Sequence, residues 1–268
     1  MPELPDLEAI LHNLIPKVTG HRIEAAQVFR PKRVFPTGEA FVAGLVGETV
    51  GEVQRQGKFT LFLLPDGGTL SIHLMLHGEM DWVPSSQAPE KATVATLRFS
   101  GDQELRFLDR AGWMRLTYHP AGGIQDCPEL RLLGPDPLEA AFTPLYLQQI
   151  LQSYPGTVKF ALMEQRLVNG IGNAFSDEIL FCARLHPTRK SRDLNAQEQD
   201  LLAKCIPDTL RWAIVQSIQG MGAGIRGEVR SYLRVHGKDG QPCTRCPGRI
   251  ARLELEGRGT YFCPRCQH

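Results

Sequence analysis

The sequence predicts an α+β chain of several domains, and three observations predict it. The apolar period is helical for about the first fifteen residues and then alternates in short runs separated by Gly-rich turns. From about residue 132 the helical period returns and lasts for about ninety residues. The chain closes on a short tail holding four cysteines in two tight pairs.

Taken in order, Leu7, Ile10, Leu11, Leu14 and Ile15 line one face of a first helix, with Asp6 placed to cap it and Pro16 and Gly20 to end it. "TLFLL" and "TLSIHLML" flank "PDGG", which predicts a hairpin over Thr60–Leu76; "ATVATLRF" and "ELRFLD" flank "SGDQ", a second. Short strands joined by tight turns predict an antiparallel β-sandwich or barrel for about the first 120 residues. Thr143 and Pro144 then start a helix with Leu147, Ile150 and Leu151 on its apolar stripe. A second helix is expected over Val158–Leu167 and a third over Asn173–Leu185, joined by "VNGIGN". Asn195 and Glu198 form a capping box for a last long helix, which Pro207 should kink. The expected domains are thus 1–125, a helical domain over 135–235, and a tail over 236–268.

Apolar residues at 42% and charged residues at 22% describe an ordinary globular protein. No apolar run is long enough to span a bilayer and no secretory pattern opens the chain, so an intracellular protein is expected. The net charge of +1 conceals an asymmetry. Residues 206–268 hold ten Lys and Arg against five Asp and Glu, a balance of +5, and the remainder, with 20 against 24, carries −4. A basic end on a near-neutral body points to a polyanion partner.

Cys243, Cys246, Cys263 and Cys266 form C-x2-C-x16-C-x2-C, the spacing of a tetrahedral zinc site closed by four thiolates. "RIARLEL" and "GTYFC" between the pairs alternate like two strands, so one structural zinc holding a ribbon is expected, with Arg258 displayed at its turn. Cys127, Cys182 and Cys205 stand apart and are expected as free thiols, the last two buried. His73 and His77 lie in strand and turn and are expected to be structural.

Two further segments suggest chemistry. In "QRLVNGIGNAF", two glycines and Asn173 put exposed N–H groups at a helix start, where a phosphate would bind, and Lys159 on the preceding helix could add charge. "MPELP" would, on loss of Met1, leave Pro2 as a free secondary amine beside Glu3. A terminal amine titrates near ~8, against ~10.4 for lysine, and is correspondingly more nucleophilic at neutral pH. Attack on a sugar C1′ or an aldehyde gives an iminium that favours β-elimination, with Glu3 available to move protons.

"PELP", "GKF", "LVNGIGNAFSDEILF", "LHPTR" and "VHGKDGQPC" occur in this order, ahead of the four-cysteine finger. Together they closely resemble the formamidopyrimidine-DNA glycosylase and endonuclease VIII family over nearly the whole chain. The resemblance implies a bifunctional DNA glycosylase and AP lyase of base excision repair, which excises a damaged base from duplex DNA and cuts the strand by β,δ-elimination. It implies an N-terminal sandwich, a helix–two-turn–helix domain and a zinc finger, in a monomer associated with the nucleoid, without a small-molecule cofactor. It assigns the nucleophile to Pro2, proton transfer to Glu3, a lesion-side and phosphate contact to Lys58, and the phosphate grip to Asn173 and Arg258, with Lys159 as a further phosphate contact. The sequence also departs from the family. Leu76 in "HLMLHG" stands where a methionine fills the hole left by the flipped base, and "DRAGWM" replaces the loop of the orphaned base, leaving Arg110 or Trp113 to fill that role. Asp6 stands in place of Glu, and "MGAGIRGEVRS" is shorter than the lid of the 8-oxoguanine enzymes. A short lid implies a ring-opened purine, oxidised pyrimidine, bulkier adduct or abasic site as the substrate. Two alternatives stay open: an AP lyase alone, and a catalytically weak binder of damaged DNA.

Overall fold

The structure, a computed structural model, describes residues 1–268. They form two compact units, one of Met1–Arg131 with Ser217–Val229, the other of Leu132–Gln216 with Arg230–His268. The segment 217–229, expected in the helical domain, thus belongs to the first unit, and the cysteine tail belongs with the helices.

In the first unit, α1 (Leu4–Val18) begins earlier than the sequence suggests. Its N-cap is Glu3, and Asp6 lies within the first turn, where its Oδ2 accepts the Glu3 N–H at 2.9 Å. Asp6 is therefore the inner carboxylate of a capping box and not the cap itself. Pro5 fits the first turn because the N–H it lacks would have no helical partner there. The strands are β1 (Ile23–Val28), β2 (Val34–Phe35), β3 (Glu52–Gln56), β4 (Phe59–Leu63), β5 (Thr69–His73), β6 (Gly78–Pro84), β7 (Thr93–Phe99), β8 (Gln103–Asp109) and β9 (Arg115–His119). Helix α2 (Gly38–Leu45) lies between β2 and β3, and α3 (Pro128–Arg131) ends the stretch.

The strands make two sheets, ordered β1-β7-β8-β6 and β2-β9-β5-β4-β3. Both expected hairpins are present, closing at Leu63 opposite Thr69 and at Phe99 opposite Gln103. The first stops at His73 and not at Leu76, because Met75 and His77 adopt left-handed backbone with φ of 54° and 62°. One pair departs from the antiparallel expectation: β2 runs parallel to β9, and at two residues it is too short to carry a period. The core joins the inner face of α1 (Leu7, Ile10, Leu14) to Phe41 of α2 and to Phe62, Ile72, Leu97 and Phe107 of the sheets. Each of these side chains contributes about 1.5–3 kcal/mol by leaving water. Ile225 from the segment 217–229 is buried in the same core.

In the second unit, α4 (Pro144–Ser153) and α5 (Val158–Met163) are capped by Thr143 and Thr157, whose hydroxyls accept from Tyr146 and Phe160 N–H. Helix α5 ends at Met163, short of Leu167, and Gln165 organises the chain beyond it. Its side-chain amide donates to the carbonyls of Met163 and Ile171 at 2.8 and 2.7 Å, and its Oε1 accepts Gly170 N–H at 2.9 Å. That brace spans the "VNGIG" connection to α6 (Asn173–Ala183). The predicted capping box of α7 (Ala196–Met221) is present, Asn195 and Glu198 exchanging bonds of 2.9 and 3.0 Å, and Pro207 lies inside the helix without ending it. Cys182 and Cys205 are not the free thiols expected: their Cα atoms lie 5.7 Å apart and a disulfide joins α6 to α7. Cys127 is free and half-buried. In the tail, β10 (Ala251–Leu255) and β11 (Arg258–Phe262) pair antiparallel, from Ala251 opposite Phe262 to Leu255 opposite Arg258.

Candidate active site and metal centre

At the start of the first unit Met1 is exposed, while Pro2 and Glu3 beneath it are buried. The capping box fixes this end of α1. Glu8, one turn on, bonds Arg55 of β3 at 2.7 Å, and Arg55 also donates to the carbonyl of Gly57, in the turn that carries Lys58. Lys58 is only 9% exposed. His73 lies across the pairing from Phe59. Burial, and then the positive charges of Lys58 and Arg115, lower its pKa to about 4. The neutral ring accepts the Met75 N–H at Nδ1 and sits edge-on to Phe59. His73 is thus structural, as its place in a strand suggests.

Two loops of this unit present large apolar groups to solvent. Leu76 is 49% exposed at the tip of the turn between the left-handed Met75 and His77. Gly78 makes that turn possible, since a Cβ there would lie 2.0 Å from the Leu74 carbonyl oxygen. In "DRAGWM", Asp109 is fully buried and gathers the loop around itself: Oδ1 accepts Ala111 and Gly112 N–H, and Oδ2 accepts Met114 N–H, all within 3.0 Å. Trp113 is left 56% exposed, and Arg110 reaches Glu79 and Glu90 at 3.6 and 3.7 Å.

In the second unit, the cap of α6 is Gly172, so Asn173 is released from the capping role and its Nδ2 donates to the Gly259 carbonyl at 2.9 Å. Asn173 therefore touches the residue after Arg258, which is exposed at the start of β11. The helix start and the ribbon turn therefore meet. Lys159 does not join them. It is fully buried and ion-paired with Asp177 of α6, which corrects its expected role: an ammonium sealed inside the unit cannot meet a phosphate.

Asp177 and Glu178 went unread in the sequence. Besides Lys159, Asp177 takes His236 Nδ1 at 2.7 Å and Tyr261 N–H at 3.1 Å. Glu178 accepts the backbone N–H groups of Arg234, Val235 and His236 at 2.8–3.1 Å. Burial pushes the Glu178 carboxyl up and those three donors pull it down. Together the pair docks the ribbon on α6. A signal was present: two acids inside the apolar run "FSDEILF" must find partners.

The sulfur atoms of Cys243, Cys246, Cys263 and Cys266 lie within 4.8 Å of one another. The pairs Cys243–Cys266 and Cys246–Cys263 are 3.9 and 3.6 Å apart, close to the ~3.8 Å edge of a zinc–thiolate tetrahedron. Backbone N–H groups of Arg245 and Gly248 point at the Cys243 and Cys246 sulfurs, the outer hydrogen bonds a thiolate shell uses. The residues fit one structural zinc, which would hold the ribbon folded and leave no ligand position open for catalysis.

A β-sandwich, a helical domain and a four-cysteine ribbon define a multidomain protein with a zinc-binding module. Family profiles match all three parts: a formamidopyrimidine-DNA glycosylase N-terminal domain over residues 1–115, a formamidopyrimidine-DNA glycosylase H2TH domain over 133–224, and a zinc finger found in these glycosylases and isoleucyl-tRNA synthetases over 240–268. The chain belongs to the formamidopyrimidine-DNA glycosylase family, DNA glycosylases of base excision repair. It is 35% identical to the formamidopyrimidine-DNA glycosylase of Symbiobacterium thermophilum, over 100% of this chain and 89% of that one. To the enzyme of Listeria innocua it is 34% identical over the full length of both. Its fold matches the Lactococcus lactis enzyme in complex with abasic-site DNA at a TM-score of 0.92, with 28% identity over 99% of each chain. The same enzyme bound to DNA with an oxidised pyrimidine matches at 0.92, with 29% identity over 100% of each.

Proposed function

We propose that the chain is a bifunctional glycosylase and AP lyase acting as a monomer on damaged duplex DNA. Pro2, exposed by loss of Met1, is the nucleophile. Its lone pair forms the N–C1′ bond as the glycosidic bond breaks and its electron pair leaves with the damaged base. Glu3 donates a proton to the sugar ring oxygen as the ring opens to the iminium, and then shuttles protons as the 3′ and 5′ phosphates are expelled. Lys58 faces the lesion and its phosphate, and Asn173 with Arg258 grips the flanking backbone. The observation that carries this reading is the terminal geometry. Pro2 is buried directly beneath Met1 and tied by the Glu3–Asp6 capping box, so the nitrogen uncovered on processing has a fixed position.

Borohydride trapping on an abasic duplex tests it. Wild-type protein should form a covalent DNA adduct; Pro2→Gly should form it far more slowly, and Glu3→Gln about 100-fold more slowly. Mass spectrometry finding Met1 retained in protein that cuts DNA would end the reading. Release of free damaged base separates the full reaction from lyase activity alone.

Leu76 is the group we assign to the hole left by the flipped nucleotide, with Arg110 and Trp113 addressing the orphaned base. Leu76→Ala should slow excision about 10-fold, the equivalent of about 1.4 kcal/mol of lost apolar burial. Unchanged single-turnover excision would reassign the wedge to Trp113. The short segment after α7 supports ring-opened purines, oxidised pyrimidines, bulkier adducts or abasic sites as substrates. Strong, selective 8-oxoguanine removal across a panel of duplexes would overturn that assignment.

A further inference from the structure

The segment after α7 is short, and within the first unit it is anchored along its length. Asn13 of α1 donates to the carbonyls of Gly222 and Gly224 at 2.7 and 2.6 Å. Ile225 is buried in the sandwich core. Arg226 bonds three carboxylates, Glu79 at 3.0 Å, Asp81 at 3.0 Å and Glu90 at 2.7 and 3.2 Å. Gly227 then turns the chain with φ of 86°, a conformation that costs glycine little. The next residue, Glu228, lies with Oε1 3.1 Å from the terminal nitrogen of Met1. A lone surface ion pair would carry little meaning. Here the carboxylate stands on a loop with three separate anchors, and its partner is the nitrogen of the residue just before Pro2.

We propose that Glu228 is a positioning residue of the reaction, holding the terminal amine where it can attack C1′. The proposal rests on Pro2 being the nucleophile. Loss of Met1 moves the terminal nitrogen back by one residue, about 3–4 Å. A glutamate side chain on a fixed backbone can follow it over that distance by changing rotamers. In the processed protein the Pro2 ammonium donates its hydrogen bond to Glu228. That bond holds the nitrogen in place; the proton goes to solvent, and the lone pair so freed forms the bond to C1′. The anchored segment thereby gains a role as a fixed wall that brings a carboxylate to the amine.

The test uses full-length processed protein and two duplexes. Single-turnover borohydride trapping on an abasic duplex reads the chemistry, and affinity for a tetrahydrofuran-site duplex reads binding. Glu228→Gln should trap about 10- to 100-fold more slowly with affinity unchanged within about 2-fold. Glu228→Asp should recover to within about 3-fold of wild type, and formate should partly rescue Glu228→Ala, which guards against a variant that is merely misfolded. Wild-type trapping by Glu228→Gln, or a loss confined to affinity, would overturn the proposal. Peptide mass spectrometry of the reduced adduct, run alongside, separates the two ideas. If the DNA is on another residue and not on the nitrogen of Pro2, the amine is not the nucleophile and both fall; if it is on Pro2 while Glu228→Gln traps normally, only the role of Glu228 falls.

Discussion

Chelating the zinc is expected to unfold the C-terminal ribbon and to lower affinity for lesion-containing duplex by at least about 100-fold. The ribbon's only sheet is the pair β10–β11, and a two-stranded hairpin is at best marginally stable alone. Its apolar cluster is small: Phe181, Val235 and Ile250 surround Cys243 and Cys263, which are themselves metal ligands. Metal binding of this kind supplies roughly 10–16 kcal/mol, so the ion and the fold are gained and lost together. Unfolding the ribbon removes the Gly259 carbonyl from Asn173 and the Tyr261 N–H from Asp177, and with them the placement of Arg258. Metal release followed with a chromophoric chelator, against DNA binding by fluorescence anisotropy, measures the effect, and Cys263→Ser should reproduce it without chelator. Retention of full affinity after stoichiometric zinc loss would show that the ribbon grips no phosphate.

The features legible in the sequence and those hidden from it divide along physical lines. Periodicity exposed α1, the two hairpins and the helices of the second unit, because each buries one face and the apolar spacing records it. Spacing exposed the metal site, because two C-x2-C pairs satisfy a local geometric demand. Residues defined by distant partners were harder to read. Asp6 looks like a cap from its neighbours, yet Glu3 holds that place and Asp6 answers it from inside the helix. Cys182 and Cys205 read as buried hydrophobes because nothing local shows α6 and α7 meeting there. The segment 221–231 reads as a shortened lid, and only the partners of Arg226 and Asn13 reveal that it is pinned to the sandwich. Lys159 obeys the same logic. Its charge suggested a phosphate, while Asp177, eighteen residues on, had already claimed it.

Replacing Lys159 should therefore change stability and leave the electrostatics of DNA binding alone. The ammonium and the Asp177 carboxylate are both fully buried. Lys159→Met leaves a buried carboxylate without its cation, a change that costs about 3–5 kcal/mol. In a chain of this size that lowers the melting temperature by roughly 10 °C. Asp177 also orders His236 and the Tyr261 N–H, so the damage should spread to the seat of the ribbon. Lys159→Met with Asp177→Asn removes both charges and should recover part of the loss, a coupling the double-mutant cycle reads directly. A phosphate contact would behave in the opposite way. Losing one leaves the melting temperature near wild type and lowers the salt dependence of DNA affinity, log Kd against log salt, by about one. Melting curves and salt titrations on the same variant separate the two roles: a lower melting temperature with an unchanged salt slope places Lys159 in the core that carries the grip, and the reverse pattern returns it to the DNA surface.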